Sequence, residues 1–360
     1  MNSLDVLRRK TLDSIQKLTD YEGKYNFYRM NVYYEYDLER IINRGVSDDA
    51  TMFQEILNES LLDRNTKIDI SRFGCTDFKM KETNNNINIY RMGRNYDFAK
   101  DTSCMLVHCH PNDGYESVGF VALDNIWAND PLKKGNVGAL TAPFICLDGM
   151  NEKGVSIAVL TLDSEPVHET NKDTMTISTS LAIRLVLDKA DNAKNAVKLI
   201  GRYNMLASLG RDYHFFISDA SGEAYVIEYD VTSGIRPFKA INKVISNGKE
   251  SELQAVTNFF ICHIDKALPN QKNGVYGHGK DRYDTVMRII KENHSNCNNE
   301  VAWKALRETS QLPDTNITSN TQWSIVYNNT DLKAEIVIKR DYENVWKYDL
   351  KTNEIRKPGE

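Results

Sequence analysis

Cysteine is scarce in this sequence of 360 residues. The chain has six cysteines: Cys75, Cys104, Cys109, Cys146, Cys262 and Cys297. No two of them form a CxxC pair, which disfavours a disulfide scaffold and a structural zinc site. We therefore expect a reducing, cytoplasmic setting, no metal and no other cofactor.

Other absences limit the class of protein further. The formal net charge is −5, so the chain has no electrostatic footprint for nucleic acid. No apolar run approaches the roughly 18 residues that span a bilayer. The start of the chain mixes charges with leucines, unlike a secretory signal. Repeats, low-complexity tracts and proline-rich linkers are also missing. We expect one large domain, or a domain with an appended segment, with no nucleic-acid partner and no membrane span. A homo-oligomer is left open.

The pattern of apolar residues in the sequence changes near residue 67. Residues 1–66 show short apolar stripes at helical spacing, so we expect a helical segment that packs on the rest of the protein. Runs of alternating, β-prone residues follow, and they are interrupted by helices in pairs. The hairpin "YHFFISDASGEAYVIEY" is a clear example of such strands. This pattern predicts an α+β fold with antiparallel sheet and outer helices.

One cysteine stands in the stretch "FGCTDF", residues 73–78. A free cysteine is most often a small buried hydrophobe. If the Gly74–Cys75 bond were cut, however, Cys75 would gain an α-amino group whose ordinary pKa of about 7.7–8.0 suits a base. The amine could take the thiol proton, so one residue would supply both nucleophile and base. Gly74 has no Cβ to hinder approach of the thiol to its carbonyl, which favours self-cleavage by an N-to-S acyl shift.

The next predicted strand, "INIYRMGRNYDF", carries charges that suit this chemistry. Asp97 could hold the new ammonium, and Arg94 could favour the thiolate or a substrate carboxylate. An ordinary solvated ion pair at a strand end is the alternative interpretation.

Several motifs together resemble a known family. "GCTDF", "GRNYDF" and "DGMNEKGVSIAVL" occur in the order seen in the linear amide C–N hydrolases of the choloylglycine hydrolase family, which are N-terminal nucleophile (Ntn) hydrolases. "HFFISDASGEAYVIEYD", "AVTNF", "DRYDTVMRI" and "TQWSIVYN" resemble later segments of that family. The resemblance covers about residues 72–350. It implies an αββα sandwich of two antiparallel sheets between helical layers.

The resemblance also implies roles for single residues. Cys75 matches the nucleophile, with Arg94 and Asp97 as the charged pair beside it. Asn258 matches the asparagine that donates to the oxyanion, and Arg282 matches the arginine that orders the site.

One position departs from the family's pattern. Thr161 stands where bile salt hydrolases carry asparagine and penicillin V acylases carry tyrosine. Its backbone N–H could still serve the oxyanion hole, but the side chain weakens an assignment to bile salts.

A second departure is the long segment before the cysteine. In this respect the chain resembles the acyltransferase and acid-amidase branches of the family, which carry a pro-segment that is cut off autocatalytically at the cysteine. We therefore expect a helical pro-segment over residues 1–74, retained as an α subunit, and a catalytic domain over residues 75–360. The expected substrate is a small linear, non-peptide amide such as an N-acyl amino acid or a fatty acyl amide, cleaved through a thioester.

Several alternatives remain open. The acyl group could pass to an amine, or the chain could be an uncleaved binding homologue whose helical segment plugs the site. A papain-like pair would use His214 or His263 as base, although a cysteine at a strand start argues against it. His108 and His110 could bind a metal, but no second ligand pair accompanies them, so a surface or channel role is favoured.

Overall fold

The computed structural model describes residues 3–21, 25–60, 73–126, 128–167, 173–207, 210–234, 236–294, 296–313 and 320–360. Its strands are β1 (Gln16–Lys17), β2 (Phe27–Asn31), β3 (Phe73–Asn84), β4 (Ile87–Phe98), β5 (Cys104–Cys109), β6 (Ser117–Ala122), β7 (Asp148–Asn151), β8 (Ser156–Leu162), β9 (Thr176–Ser178), β10 (Asn204–Leu206), β11 (Asp212–Ser218), β12 (Ala224–Tyr229), β13 (Phe238–Ile241), β14 (Lys243–Ser246), β15 (Lys249–Glu252), β16 (Ala255–Val256), β17 (Thr321–Asn328), β18 (Lys333–Ile338), β19 (Trp346–Asp349) and β20 (Glu354–Arg356). Its α-helices are α1 (Ser3–Asp13), α2 (Leu38–Arg44), α3 (Asp49–Ser60), α4 (Thr179–Lys189), α5 (Ala193–Ile200), α6 (Lys280–Asn293) and α7 (Asn299–Thr309). Short 3₁₀ helices cover Leu123–Ile126, Gly138–Phe144 and Ile261–Lys266. None of the described helices has both the length and the apolar character needed to cross a membrane.

Two large sheets form the body of the molecule. The first has the strand order β1-β2-β5-β6-β7-β8-β11-β12-β13, and the second has the order β16-β3-β4-β17-β18-β19-β20. Helices α4 and α5 pack on the first sheet, α6 and α7 pack on the second, and β3 contacts β8 across the interface. Most strands are buried along their whole length because each sheet is covered on both faces. This αββα arrangement confirms the α+β prediction.

The hairpin of β3 and β4 sets the geometry around Cys75. The turn is tight because Asn85 and Asn86 take positive φ values of 47° and 61°, which asparagine tolerates in a two-residue hairpin turn. The antiparallel register places Cys75 opposite Tyr96. The same register places Asp77 opposite Arg94 and Gly74 opposite Asp97. Since side chains alternate along a strand, Cys75, Asp77 and Arg94 share the face toward the first sheet, and Asp97 belongs to the opposite face.

The expectation of a wholly helical N-terminal segment is wrong. The segment has three helices, but β1 and β2 lie between them and extend the first sheet. Strand β2 pairs in parallel with β5, from Phe27 opposite Cys104 to Asn31 opposite His108. Its aromatic and methionine side chains are buried. Pairing with the free edge of β5 therefore stabilises a strand rather than a helix in this segment. Residues 67–72, the predicted start of the strand that carries Cys75, lie outside the described residues.

Candidate active site

Cys75 is the third residue of β3 and is fully buried. Its backbone N–H donates to Asn258 Oδ1 at 2.9 Å. Its thiol lies 3.7 Å from the carbonyl oxygen of Val159 on β8. The cysteine is therefore held at the interface of the two sheets, between a side chain that follows β16 and a strand of the first sheet.

Arg94 is the centre of a buried charge cluster beside this cysteine. Its Nη2 donates at 3.0 Å to Val159 O, the same carbonyl that the Cys75 thiol approaches. Its Nη1 donates to Asp77 Oδ2 at 2.8 Å, and its Nε donates to Asp148 Oδ2 at 2.7 Å. All three charged side chains are completely excluded from solvent. One guanidinium thus faces two carboxylates next to a thiol.

Arg282, in the first turn of α6, holds the backbone around Cys75. Its Nη1 donates to the carbonyl oxygen of Cys75 and, at 2.7 Å, to Thr76 Oγ1. Its Nη2 donates to Asn258 Oδ1 at 2.7 Å. Gly279 precedes α6 with φ +88°, and a Cβ there would lie 2.5 Å from Arg282 Nη2. Only glycine both adopts this conformation easily and leaves room for the guanidinium.

Asn258 and Thr161 are joined through the interface of the sheets. Asn258 Nδ2 donates to the backbone oxygen of Thr161 at 2.9 Å. The Thr161 side chain is 2% exposed, and its Oγ1 has no hydrogen-bond partner among the described residues. The side chain of Asn258, the expected oxyanion donor, is therefore engaged by Thr161 O and by the Cys75 amide.

Asp97 lies opposite Gly74 in the hairpin but on the other face of the second sheet. Its Oδ1 accepts from Thr321 Oγ1 at 2.5 Å, and its Oδ2 accepts from Gln311 Nε2 at 2.6 Å. Arg282 Nη1 is 3.8 Å from the same Oδ2. Asn258 rather than Asp97 accepts the hydrogen of the Cys75 nitrogen.

Burial dominates the electrostatics of the site. It raises the pKa of the Cys75 thiol well above its ordinary value, although Arg94 opposes the shift. Burial also raises the pKa of Asp77 to about 8, against the opposing effect of Arg94 and with a further contribution from Asp148. Burial therefore favours the protonated form of the thiol and also the protonated form of Asp77.

The histidines considered from the sequence have partners away from Cys75. His214 is fully buried between Glu228 Oε1, 3.0 Å from Nδ1, and Thr257 O, 2.8 Å from Nε2. It therefore supports the segment that carries Asn258. His108 Nε2 lies 2.7 Å from Glu116 Oε1, and neighbouring His110 is exposed.

His263 lies in the one described group of three side chains that could hold a metal ion. One donor atom each from Asp230, Cys262 and His263 lies within 4.8 Å of the others. His263 Nε2 is 2.8 Å from Asp230 Oδ1, so these two groups already satisfy each other.

A polar cleft of about 480 Å³ has Asp163, two residues beyond Thr161 in the sequence, in its lining. Its lining includes Asp163, Glu165, Arg211 and Arg236. Arg236 donates to the backbone oxygen of Glu165 at 2.5 Å and also pairs with Asp212. The charged lining suits a polar group better than an aliphatic chain.

Sequence reasoning missed three groups of the site: Asp77, Asp148 and the carbonyl of Val159. Asp148 stands in the quoted "DGMNEKG" motif, but its contact with Arg94 depends on tertiary structure. Asp77 left a usable signal, because an acidic residue two positions from Cys75 on a buried strand shares its face. A backbone carbonyl leaves no signal in the sequence.

The sequence pattern of the linear amide C–N hydrolases, choloylglycine hydrolase family, matches residues 75–264. This match spans more than half of the chain. The chain belongs to this family. It is accordingly a hydrolase of linear amide C–N bonds. None of the curated proteins is similar enough to this hydrolase to count as a relative.

Solved structures support the fold of the hydrolase. Penicillin V acylase from Agrobacterium tumefaciens is 18% identical, with a TM-score of 0.50 over 79% of this chain and 90% of that chain. A mutant conjugated bile acid hydrolase from Clostridium perfringens is 14% identical, with a TM-score of 0.51 over 79% and 96%. Another variant of that enzyme is 15% identical, with a TM-score of 0.53 over the same shares. At these identities the likeness shows the Ntn-hydrolase fold and says nothing about the substrate.

Proposed function

We propose that the chain is a proenzyme that cuts its own Gly74–Cys75 bond and then hydrolyses a small linear amide through Cys75. The observation that carries this proposal is the convergence on one cysteine of side chains from β4, α6 and the segment after β16. Arg94 shares a carbonyl acceptor with the thiol, Asn258 accepts from the Cys75 N–H, and Arg282 donates to the Cys75 carbonyl. The family match, which begins at Cys75, supports the same boundary.

The mature enzyme would use the new α-amine as its base. The amine takes the thiol proton, and the thiolate attacks the substrate amide carbonyl. Asn258 turns its Nδ2 to the tetrahedral oxyanion, assisted by the backbone N–H of Thr161. The amine passes the proton to the leaving nitrogen, a thioester of Cys75 forms, and water releases the acid. We also propose a reducing, cytoplasmic setting, in which this thiol stays reduced.

The substrate class we favour is an N-acyl amino acid. The cleft beyond Thr161 is lined by both arginine and carboxylate side chains, so it suits the polar amine part of the substrate. A panel tests the assignment: N-acyl amino acids, fatty acyl amides, bile conjugates and penicillin V, each assayed with and without an added acceptor amine. Cleaved protein that turns over none of them would overturn the substrate class, and release of a new amide would indicate acyl transfer.

A free carboxylate on the amine part is expected to raise kcat/KM about 10- to 100-fold over the same acyl amide without it. This range corresponds to one charge-assisted hydrogen bond of about 1.5–3 kcal/mol. Steady-state kinetics on the matched pair measure the ratio. Arg211→Gln should remove most of the preference, and Arg202→Gln, at an exposed position, should leave it intact. Equal kcat/KM for the two amides would contradict this role of the cleft.

The N-terminal piece is expected to remain bound after cleavage. Besides β2, it contributes buried side chains from its helices, including Ile41, Met52 and Ile56. Each such side chain contributes about 1.5–3 kcal/mol when buried, so separation would expose a large apolar surface. Native gel filtration of cut protein should give one peak that contains both pieces, which separate only in denaturant. Separation without denaturant would show that the segment is a removable plug.

A further inference from the structure

Self-cleavage needs a proton acceptor that the mature enzyme does not need. The inference about this acceptor rests on the proposed function. Before cleavage the Cys75 nitrogen is an amide that donates to Asn258 Oδ1, so it has no basic lone pair. The thiol still carries its proton, because burial raises its pKa. Another group must therefore receive that proton when the thiol attacks the Gly74 carbonyl.

Most nearby acceptors are already occupied. Asp97 accepts from Thr321 and Gln311 on its two oxygens and belongs to the opposite face of the second sheet. Asp148 accepts from Tyr327 Oη at 2.5 Å on Oδ1 and from Arg94 on Oδ2. The carbonyl of Val159, which the thiol approaches, is too weak a base to take its proton.

Asp77 has the one unoccupied oxygen among these carboxylates. Its side chain is completely buried, and Arg94 Nη1 occupies only Oδ2. Within the part of the chain that the structure describes, Oδ1 has no hydrogen-bond partner. Residues two apart on a strand share a face, with their Cα atoms about 6.6 Å apart, so one water can relay a proton between Cys75 and Asp77.

The charges around Asp77 suit a base that works near neutral pH. Arg94 on β4 faces it and favours the carboxylate, while Asp148 on β7 and Asp97 on β4 disfavour it. Burial outweighs Arg94 and raises the pKa of Asp77 to about 8. Because the folded-state pKa is raised, the carboxylate that can accept a proton accumulates only as the pH rises toward that value.

We propose that Asp77 is the proton acceptor of self-cleavage. The Cys75 thiol gives its proton to Asp77 Oδ1, and Sγ bonds to the Gly74 carbonyl carbon. The C–N bond of Gly74–Cys75 then breaks as Asp77 returns the proton to the nitrogen, which leaves a Gly74 thioester and a free α-amine. Water hydrolyses the thioester to the Gly74 carboxylate and the thiol. From then on the α-amine is the base, and Asp77 is no longer required for proton transfer.

Asp77→Asn tests whether Asp77 is the base of self-cleavage while the α-amine is the base of turnover. The amide oxygen of the variant still accepts from Arg94 but cannot take a proton. Chains pulse-labelled during cell-free synthesis are followed by gel electrophoresis and mass spectrometry as they are cut. We expect the cleavage rate to fall about 10²- to 10⁴-fold, the range for loss of a general base. Turnover per cut chain, measured after prolonged incubation, should fall far less than the cleavage rate, because the α-amine is the base of the cut enzyme. The wild-type cleavage rate should rise with pH toward about 8, and this rise should vanish in the variant.

Asp188→Asn is the matched control, because Asp188 is also buried and pairs with an arginine, Arg184 at 2.6 Å, away from Cys75. It should be cut at the wild-type rate. Cleavage of Asp77→Asn at that rate, or an equal loss of cleavage and of turnover, would overturn the proposal. If Asp77→Asn does not fold, Asp77→Glu decides: it should be cut with a shifted pH midpoint, and an unchanged midpoint would overturn the proposal. Failure of the unmodified chain to be cut at all would instead overturn the proposed function.

Discussion

Cys75→Ala is expected to abolish both self-cleavage and amide hydrolysis. The thiol is the atom that attacks in each reaction, and the group it contacts, the Val159 carbonyl, is not a nucleophile. Loss of a nucleophile lowers kcat by a factor on the order of 10⁵ or more. Intact-mass measurement should show only the full-length chain, and hydrolysis of the best amide of the panel should fall to background.

Cys104→Ala is the matched control for this variant. Cys104 is equally buried, on β5 of the first sheet, so its truncation leaves a cavity of similar size. This variant should be cut and should remain active. Retention of amide hydrolysis by Cys75→Ala would contradict the assignment of Cys75 as nucleophile.

Arg94→Met is expected to destabilise the folded chain by about 3–5 kcal/mol. The substitution removes the one guanidinium that bonds both Asp77 and Asp148, and it leaves two buried carboxylates uncompensated. The loss should grow as the pH rises, because both carboxylates must then be protonated to remain buried. Urea unfolding in the uncut Cys75→Ala background measures the change without interference from cleavage.

A second substitution shows whether the loss comes from the carboxylates. Adding Asp77→Asn to Arg94→Met should recover part of the lost free energy of unfolding, because one of the two unpaired charges is gone. Arg184→Met, which leaves Asp188 alone, is the comparison for a buried arginine outside the site. A free energy of unfolding unchanged by Arg94→Met would show that the guanidinium does not hold the two sheets together.

The hairpin that carries Cys75 could be predicted from sequence because its information is local. Alternation along residues 73–98, broken by asparagines, indicates two antiparallel strands and puts Arg94 and Asp97 on the strand that pairs with the strand of Cys75. Asn258 and Arg282 came from the resemblance to the family alone. Their contacts with Cys75 span 183 and 207 residues, and no local pattern encodes such a distance.

The N-terminal strands were missed for a related reason. "YNFYRMN" is aromatic and could form a helix seam or a strand, and its partner β5 lies about 75 residues further along the chain. Parallel pairing with a distant edge is a tertiary effect that outweighs local preference. The charge state around Arg94 could not be predicted from sequence either, because it depends on the contact of Arg94 with Asp148 on the other sheet.

Intact-mass spectrometry with N-terminal sequencing of the purified, unmodified chain is the direct test of self-cleavage at Gly74–Cys75. We expect two pieces that meet at one bond, residues 1–74 and 75–360, with Cys75 as the first residue of the larger piece. A single mass of the full 360 residues, unchanged after prolonged incubation near pH 8, would contradict it.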